Sequence, residues 1–127
     1  MSTKEAVMTT QDVADRFNEL AQTGRWDLVQ SELYADNAVS IEPAHAAAMG
    51  MSNAEGMEAI RKKGEAFNQL VEEMHGGYSS APVIAGNHFA VGMGMDCTMK
   101  GAGRTKMDEI AVYEVKDGKI VKEQFFF

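Results

Sequence analysis

Met107-Asp108-Glu109-Ile110-Ala111-Val112-Tyr113-Glu114-Val115 alternates with period two, Lys116-Asp117-Gly118 interrupts it, and Lys119-Ile120-Val121-Lys122-Glu123-Gln124-Phe125-Phe126-Phe127 follows. An Asp-Gly pair between two alternating runs is a strong short-range signal for a β-hairpin. Two turns are open. A type I turn with glycine in the bulge pairs Ala111 with Glu123 and Glu109 with Phe125. Glu109, Ala111, Tyr113, Glu123, Phe125 and Phe127 then share one face. A two-residue turn instead pairs Ala111 with Gln124 and sends Glu123 outward. A strand carrying three successive phenylalanines is an aggregation hazard unless a cavity or a partner covers them. Carboxylates and aromatics on one side of a sheet therefore predict a small cup.

The meander extends back from this hairpin to about Glu73, with strands expected at 78–85, 88–99, 104–115 and 119–127. Gly86-Asn87 and Lys100-Gly101-Ala102-Gly103 supply its turns. The upstream half is mainly helical. A first helix is predicted over 10–22, where Thr9 and Asp12 resemble a capping box and Val13, Phe17, Leu20 and Ala21 share a face. A second is expected over 26–33, burying Trp26, Val29 and Leu33, and a short strand over 38–42 stops at Pro43. Residues 43–51 read as a loop, either a lid or a plain connection. Ser52 and Glu55 suggest a cap for a third helix, in which Ile60, Gly64, Phe67, Val71 and Met74 recur at spacings of four and three. Arg61, Lys62 and Lys63 are placed on its wet side. Two helices, a strand, a long helix and then antiparallel strands make an α+β plan, with a curved sheet wrapped on the helices.

Composition narrows the partners. The 127 residues suit one domain, over 9–127, after a loose polar end at 1–8. A formal charge of −7 with no basic stripe argues against nucleic acid and against an anionic membrane. The longest apolar run is too short for a membrane span, and no secretory pattern opens the chain. The single cysteine, Cys97, excludes an internal disulfide and fits a reducing cytoplasm, where it reads as a small hydrophobe. Three histidines without local ligand spacing predict no metal, and no cofactor is expected, though ligation by His75 with carboxylates brought near in space stays open. Met93, Met95, Met99 and Met107 fall in the sheet, where flexible thioethers suit an adaptable apolar pocket or ordinary core filling.

Three further segments carry a resemblance. Leu33-Tyr34-Ala35-Asp36-Asn37-Ala38-Val39 with Glu42-Pro43, then Gly56-Met57-Glu58-Ala59-Ile60, then Val115-Lys116-Asp117-Gly118-Lys119-Ile120-Val121, together resemble the nuclear transport factor 2-like superfamily. That superfamily includes the ketosteroid isomerases and the SnoaL-like polyketide cyclases. The resemblance implies a cone-shaped, cystatin-like barrel with an apolar pocket, forming a homodimer through sheet faces. Ketosteroid isomerases place a catalytic carboxylate just before a proline, and Glu42 matches that place as general base. Their two oxyanion donors correspond here to Phe17 and Ala111, which cannot donate a hydrogen bond; such a donor is typically worth about 2.7–4 kcal/mol. The SnoaL-like cyclases use ionisable residues on the last two strands, where Glu109 and Glu123 stand.

If Glu42, Glu109 and Glu123 converge in an apolar cup, like charges and desolvation hold one of them protonated beside an ionised neighbour. That pair suits enolisation, isomerisation or aldol-type cyclisation of a small, largely apolar carbonyl compound, with Tyr34 or Tyr113 as substitute donor. The expected lining is Phe17, Trp26, Tyr34, Phe67, His75 and Met93, continued by Met95, Ala111, Tyr113, Phe125 and Phe127. Asp96 and Asp108 fall on the opposite alternation and read as surface or interface. Two other readings stand beside the enzyme: a binding module holding an apolar ligand, and a structural dimer with a filled cone.

Overall fold

Thr9 opens the first helix as the sequence predicts: its hydroxyl accepts from the Asp12 amide at 3.1 Å, and the Asp12 carboxylate accepts from the Thr9 amide at 3.0 Å. The computed structural model describes residues 7–127. The loose end expected at 1–8 lies outside the described residues except for Val7 and Met8, which lie against Gly118. Helix α1 (Thr10–Gln22) buries Val13, Ala14, Phe17, Leu20 and Ala21. Helix α2 (Trp26–Leu33) follows and buries Val29 and Leu33. Trp26 does not join them: it is 41% exposed, with only an edge contact to Phe17 at 5.8 Å between centroids. It shares the spacing of Val29 and Leu33, but at the first position of a short helix it overhangs the end of their buried stripe, which corrects its expected place in the lining.

Strand β1 (Tyr34–Ile41) begins four residues before the expected start because Tyr34 already pairs with Ile120. The loop after Pro43 contains a 3₁₀ turn, Ala44–Met49, closed by Gly50 in the left-handed region. Strand β2 (Ala54–Glu55) pairs with β1, so Glu55 is in a strand and the expected Ser52–Glu55 cap does not form. Helix α3 (Met57–Leu70) starts instead at Gly56, whose φ of 84° suits glycine.

The other end of α3 also differs from expectation. The helix stops at Leu70, and Val71 and Met74 lie in strand β3 (Val71–Ser79). A bulge between Val71 and Glu73 puts both residues on one face, so a bulged strand imitates helical spacing here. Pro82, which has no N–H to give a ladder, splits the expected strand over 78–85 into β3 and β4 (Val83–Ala85). Both pair with β5 (His88–Met99), which continues into β6 (Gly103–Lys116) and β7 (Lys119–Phe126). The sheet order is β2-β1-β7-β6-β5-β3, with β4 also on β5; among the described residues only β1 and β7 run parallel. The sheet is curved and unclosed, an α+β architecture.

The last hairpin follows neither expected register. Asp117 and Gly118 both have positive φ, the mark of a two-residue type I′ turn. Val115 then pairs with Ile120, but Glu114 pairs with Lys122, leaving Val121 as a bulge. The bulge restores the lost parity. Tyr113 lies opposite Glu123 and Ala111 opposite Phe125, so the expected face forms two residues out of the expected pairing.

The helices pack on this inner face. Phe17 meets Phe89 at 5.3 Å and Tyr113 at 4.8 Å, centroid to centroid, and Phe89 stacks on Tyr113. Each such ring stabilises the fold by about 1.5–3 kcal/mol through burial alone. The outer face is wetter and still exposes Tyr78, Val83, Ile110 and Phe126. Among the described residues no helix is long and apolar enough to cross a membrane.

Candidate functional site

Parallel pairing of β1 with β7 sets Ser40 beside Glu123, two polar residues in the most deeply buried part of the sheet. Glu123 is only 5% exposed. The Tyr34 hydroxyl donates to its Oε1, and the Ser40 hydroxyl lies beside it on the paired strand. Burial pushes the Glu123 carboxyl up, and the Ser40 and Tyr34 hydroxyls and the Lys63 charge oppose that shift. Burial, reinforced by the Glu123 charge, holds both Tyr34 and Tyr113 well above the usual phenol range.

Lys63 joins this group from α3. It follows Ile60 by three residues and precedes Phe67 by four, which places it on the inner stripe of the helix. Its ammonium donates to Ser40 Oγ at 2.5 Å and to Glu42 Oε2 at 2.6 Å, and it lies 5.6 Å from the centre of the Phe125 ring. The Lys63 side chain is 20% exposed, against the solvated face that its basic neighbours suggest. Arg61 and Lys62 do face water. Glu42 is fixed from its backbone as well, its N–H donating to Asn53 Oδ1 at 2.8 Å.

Glu109 completes the cluster from β6, opposite Met93. Its half-buried carboxyl is pushed up to about 7, first by burial and then by the charges of Glu42 and Glu123, with Lys63 pulling the other way. The three expected carboxylates thus act on one another, together with an ammonium that the sequence reading left in water. A carboxyl at about 7 is populated in both protonation states near neutral pH, while Glu42 is tied to Lys63. This arrangement can take a proton from a carbon acid and give it back.

The expected lining divides by depth. Phe17, Tyr34, Ala111 and Tyr113 are buried and close the base, so the two positions lacking donors are packed solid. Met93, opposite Glu109, and Phe125, beside Lys63, are half-buried at the carboxyl cluster, and Phe67 is half-buried one turn further along α3. Met95, half-buried, lies further along β5, beside an outer hollow of about 400 Å³ over Gly76, Gly77 and Tyr78. Phe127 is 41% exposed and meets the His45 ring edge-on at 5.2 Å. His75 is not brought in. The second bulge of β3 leaves it beside the outer residues Thr98, at 2.7 Å from Nε2, and Glu73, at 3.5 Å from Nδ1. Among the described residues no group of three histidine, cysteine or acidic side chains is placed to hold a metal.

Ser40 and Lys63 are the site residues that sequence reasoning missed. Lys63 carried a usable signal, its spacing to Ile60 and Phe67, masked by the basic run. Ser40 carried none, because its role depends on a strand pairing that spans most of the chain. Asp96 and Asp108 face outward as expected, bonded to Arg104 and Tyr78.

Comparison with known proteins agrees with this architecture. A SnoaL-like polyketide cyclase from Mesorhizobium loti, so named provisionally, superposes with a TM-score of 0.86 at 34% identity, over 94% of this chain and 100% of that one. A nuclear transport factor 2-like protein of unknown function from Burkholderia pseudomallei gives 0.74 at 13% identity, over 93% and 89%. A protein from Catenulispora acidiphila with a ketosteroid isomerase-like fold, solved in complex with trimethylamine, gives 0.68 at 15%, over 94% and 87%. No curated protein matches the chain. The SnoaL-like domain matches residues 8–127, nearly the whole sequence, and the chain belongs to that family.

Proposed function

We propose that this protein is a cofactor-independent acid–base enzyme of isomerase or cyclase type, acting on a small, largely apolar carbonyl compound. One observation carries the reading: Glu109, half-buried on the inner face beside the Lys63–Glu42 pair, has its carboxyl held at about 7. A general base works best when its pKa lies near the operating pH. Ionised Glu109 removes a proton from the carbon next to the carbonyl, and that C–H pair becomes an enolate. Protonated Glu109 then returns the proton to another carbon, which is isomerisation. In the cyclase variant the enolate carbon attacks a second carbonyl, and the new alkoxide takes the proton. Glu42, which the resemblance favoured as base, is the less free carboxyl because Lys63 binds it. Met93 and Phe125 offer apolar walls, and the cyclase name carried by the 34%-identical structure supports the class.

The test is deuterium exchange at the α-carbon of a panel of cyclic ketones and 1,3-diketones, followed by NMR. The expected result is exchange accelerated by the wild-type chain and lost, by about 10²–10⁴-fold, in Glu109→Gln. Equal exchange in that variant would remove Glu109 from the mechanism. The methionine and aromatic walls favour one other reading, a non-catalytic module for an apolar ligand. Its signature is affinity untouched by Glu109→Gln but weakened by Met93→Asp or Phe125→Asp. Self-association through the outer sheet face belongs to the proposal too. Tyr78, Val83, Ile110 and Phe126 are exposed on that face, and sedimentation of the purified chain would report a dimer.

A further inference from the structure

We infer that Lys63 is a catalytic residue, the donor that receives the oxyanion of the substrate in place of the hydrogen-bond donors absent at Phe17 and Ala111. The inference rests on the proton-transfer reading of the same site. An ammonium has three N–H donors. Two are committed within the protein, to Glu42 at 2.6 Å and Ser40 at 2.5 Å, and among the described residues the third has no partner. These two anchors fix the head of an otherwise flexible side chain, which is the preorganisation that oxyanion stabilisation requires.

The surroundings point the spare donor at a ligand. Lys63 is one-fifth exposed and lies 5.6 Å from the centre of the Phe125 ring, so its ammonium stays within reach of a ligand that approaches from solvent. The other inner donors are spent or sealed in: the Tyr34 hydroxyl is bonded to Glu123, and Tyr113 is buried against Phe17 and Phe89. The carboxyls around the ammonium also limit the substrate. A ligand that enters already anionic meets Glu42, Glu109 and Glu123, whereas a neutral carbonyl compound meets no penalty on entry. It acquires its negative charge only as Glu109 takes up a proton. The substrate class is thus a neutral ketone or diketone whose oxygen lies on Lys63 and whose acidic carbon lies on Glu109.

The test uses 4-nitrophenol as an enolate mimic, at a pH where the free probe is mainly neutral, with absorbance reporting which form is bound. Wild-type chain is expected to bind the phenolate. Lys63→Gln, and the double variant Lys63→Gln/Glu42→Gln that also neutralises the carboxylate paired with Lys63 if the single variant misfolds, are expected to lose phenolate affinity by roughly 10- to 100-fold. Lys63→Arg should retain part of it. Binding as the neutral phenol, unchanged phenolate affinity in both neutral variants, or no binding by wild type would each overturn the role of Lys63. Ketone exchange that still depends on Glu109 would then leave the proton-transfer reading standing. Lysine-dependent phenolate binding without any such exchange would do the reverse.

Discussion

The sheet carries the same pair twice, a tyrosine hydroxyl donating to a carboxylate. Tyr34 meets Glu123 on the inner face, and Tyr78 meets Asp108 on the outer face at 2.6 Å. The chemistry matches and the consequences do not. Outside, the Asp108 bond raises the Tyr78 phenol from its ordinary range, and water remains available to both partners. Inside, burial is the first cause of the shift on both partners, and Ser40 and Lys63 are drawn in to offset it. A hydrogen bond acquires functional weight when its partners have no solvent to fall back on.

Removing one hydroxyl from each pair is the sharpest way to break that comparison. Tyr34→Phe leaves a buried carboxyl short of a donor and should destabilise by about 1.5–3 kcal/mol in urea unfolding. Tyr78→Phe should stay within about 0.5 kcal/mol, as surface changes usually do. Equal losses would mean that the two faces are equally dry.

The next effect is smaller and depends on pH. Between 4.5 and about 7 folded Glu109 binds more protons than the unfolded chain, so this group's contribution to stability falls as pH rises through that window. The raised Glu123 carboxyl acts in the same direction. Relative to wild type, Glu109→Gln should therefore gain in melting temperature as pH goes from acid to above neutral. After solvent screening is discounted, the gain is on the order of 1 kcal/mol, or roughly 3 °C. A wild-type-minus-variant difference that does not change with pH would place Glu109 in water.

The smallest effect belongs to the outer ion pair. Arg104 bonds Asp96 through two nitrogens, at 3.0 and 2.9 Å, yet its side chain is 63% exposed. Arg104→Gln should cost no more than about 1 kcal/mol and lose even that in high salt. A larger cost would show that the outer face is covered.

What the chain disclosed beforehand follows the range of the forces involved. The β5–β6–β7 meander was legible because period-two alternation and Asp117-Gly118 are local signals. Glu109 and Glu123 were legible for the same reason, since their shared face needs only the correct parity and not the correct partner. Val71 and Met74 misled because one extra residue in a strand spaces side chains as a helix turn does. Ser40 was invisible, and Lys63 nearly so. What brings them to the carboxyl cluster is a contact between β1, α3 and β7 that no local window contains.

The Val121 bulge has a consequence for how this site can diversify. Whether the hairpin arm holds an odd or even number of residues between Tyr113 and Glu123 decides which neighbour joins the inner face, and those neighbours are a lysine and an amide. Inserting a single codon after the bulge, with the ladder otherwise kept, would put Lys122 opposite Tyr113 in place of the inner carboxyl while every helix stayed in place. Length variation in one short arm can therefore invert the charge of the interior without a single amino-acid replacement, a route to new chemistry that substitution counts alone would overlook.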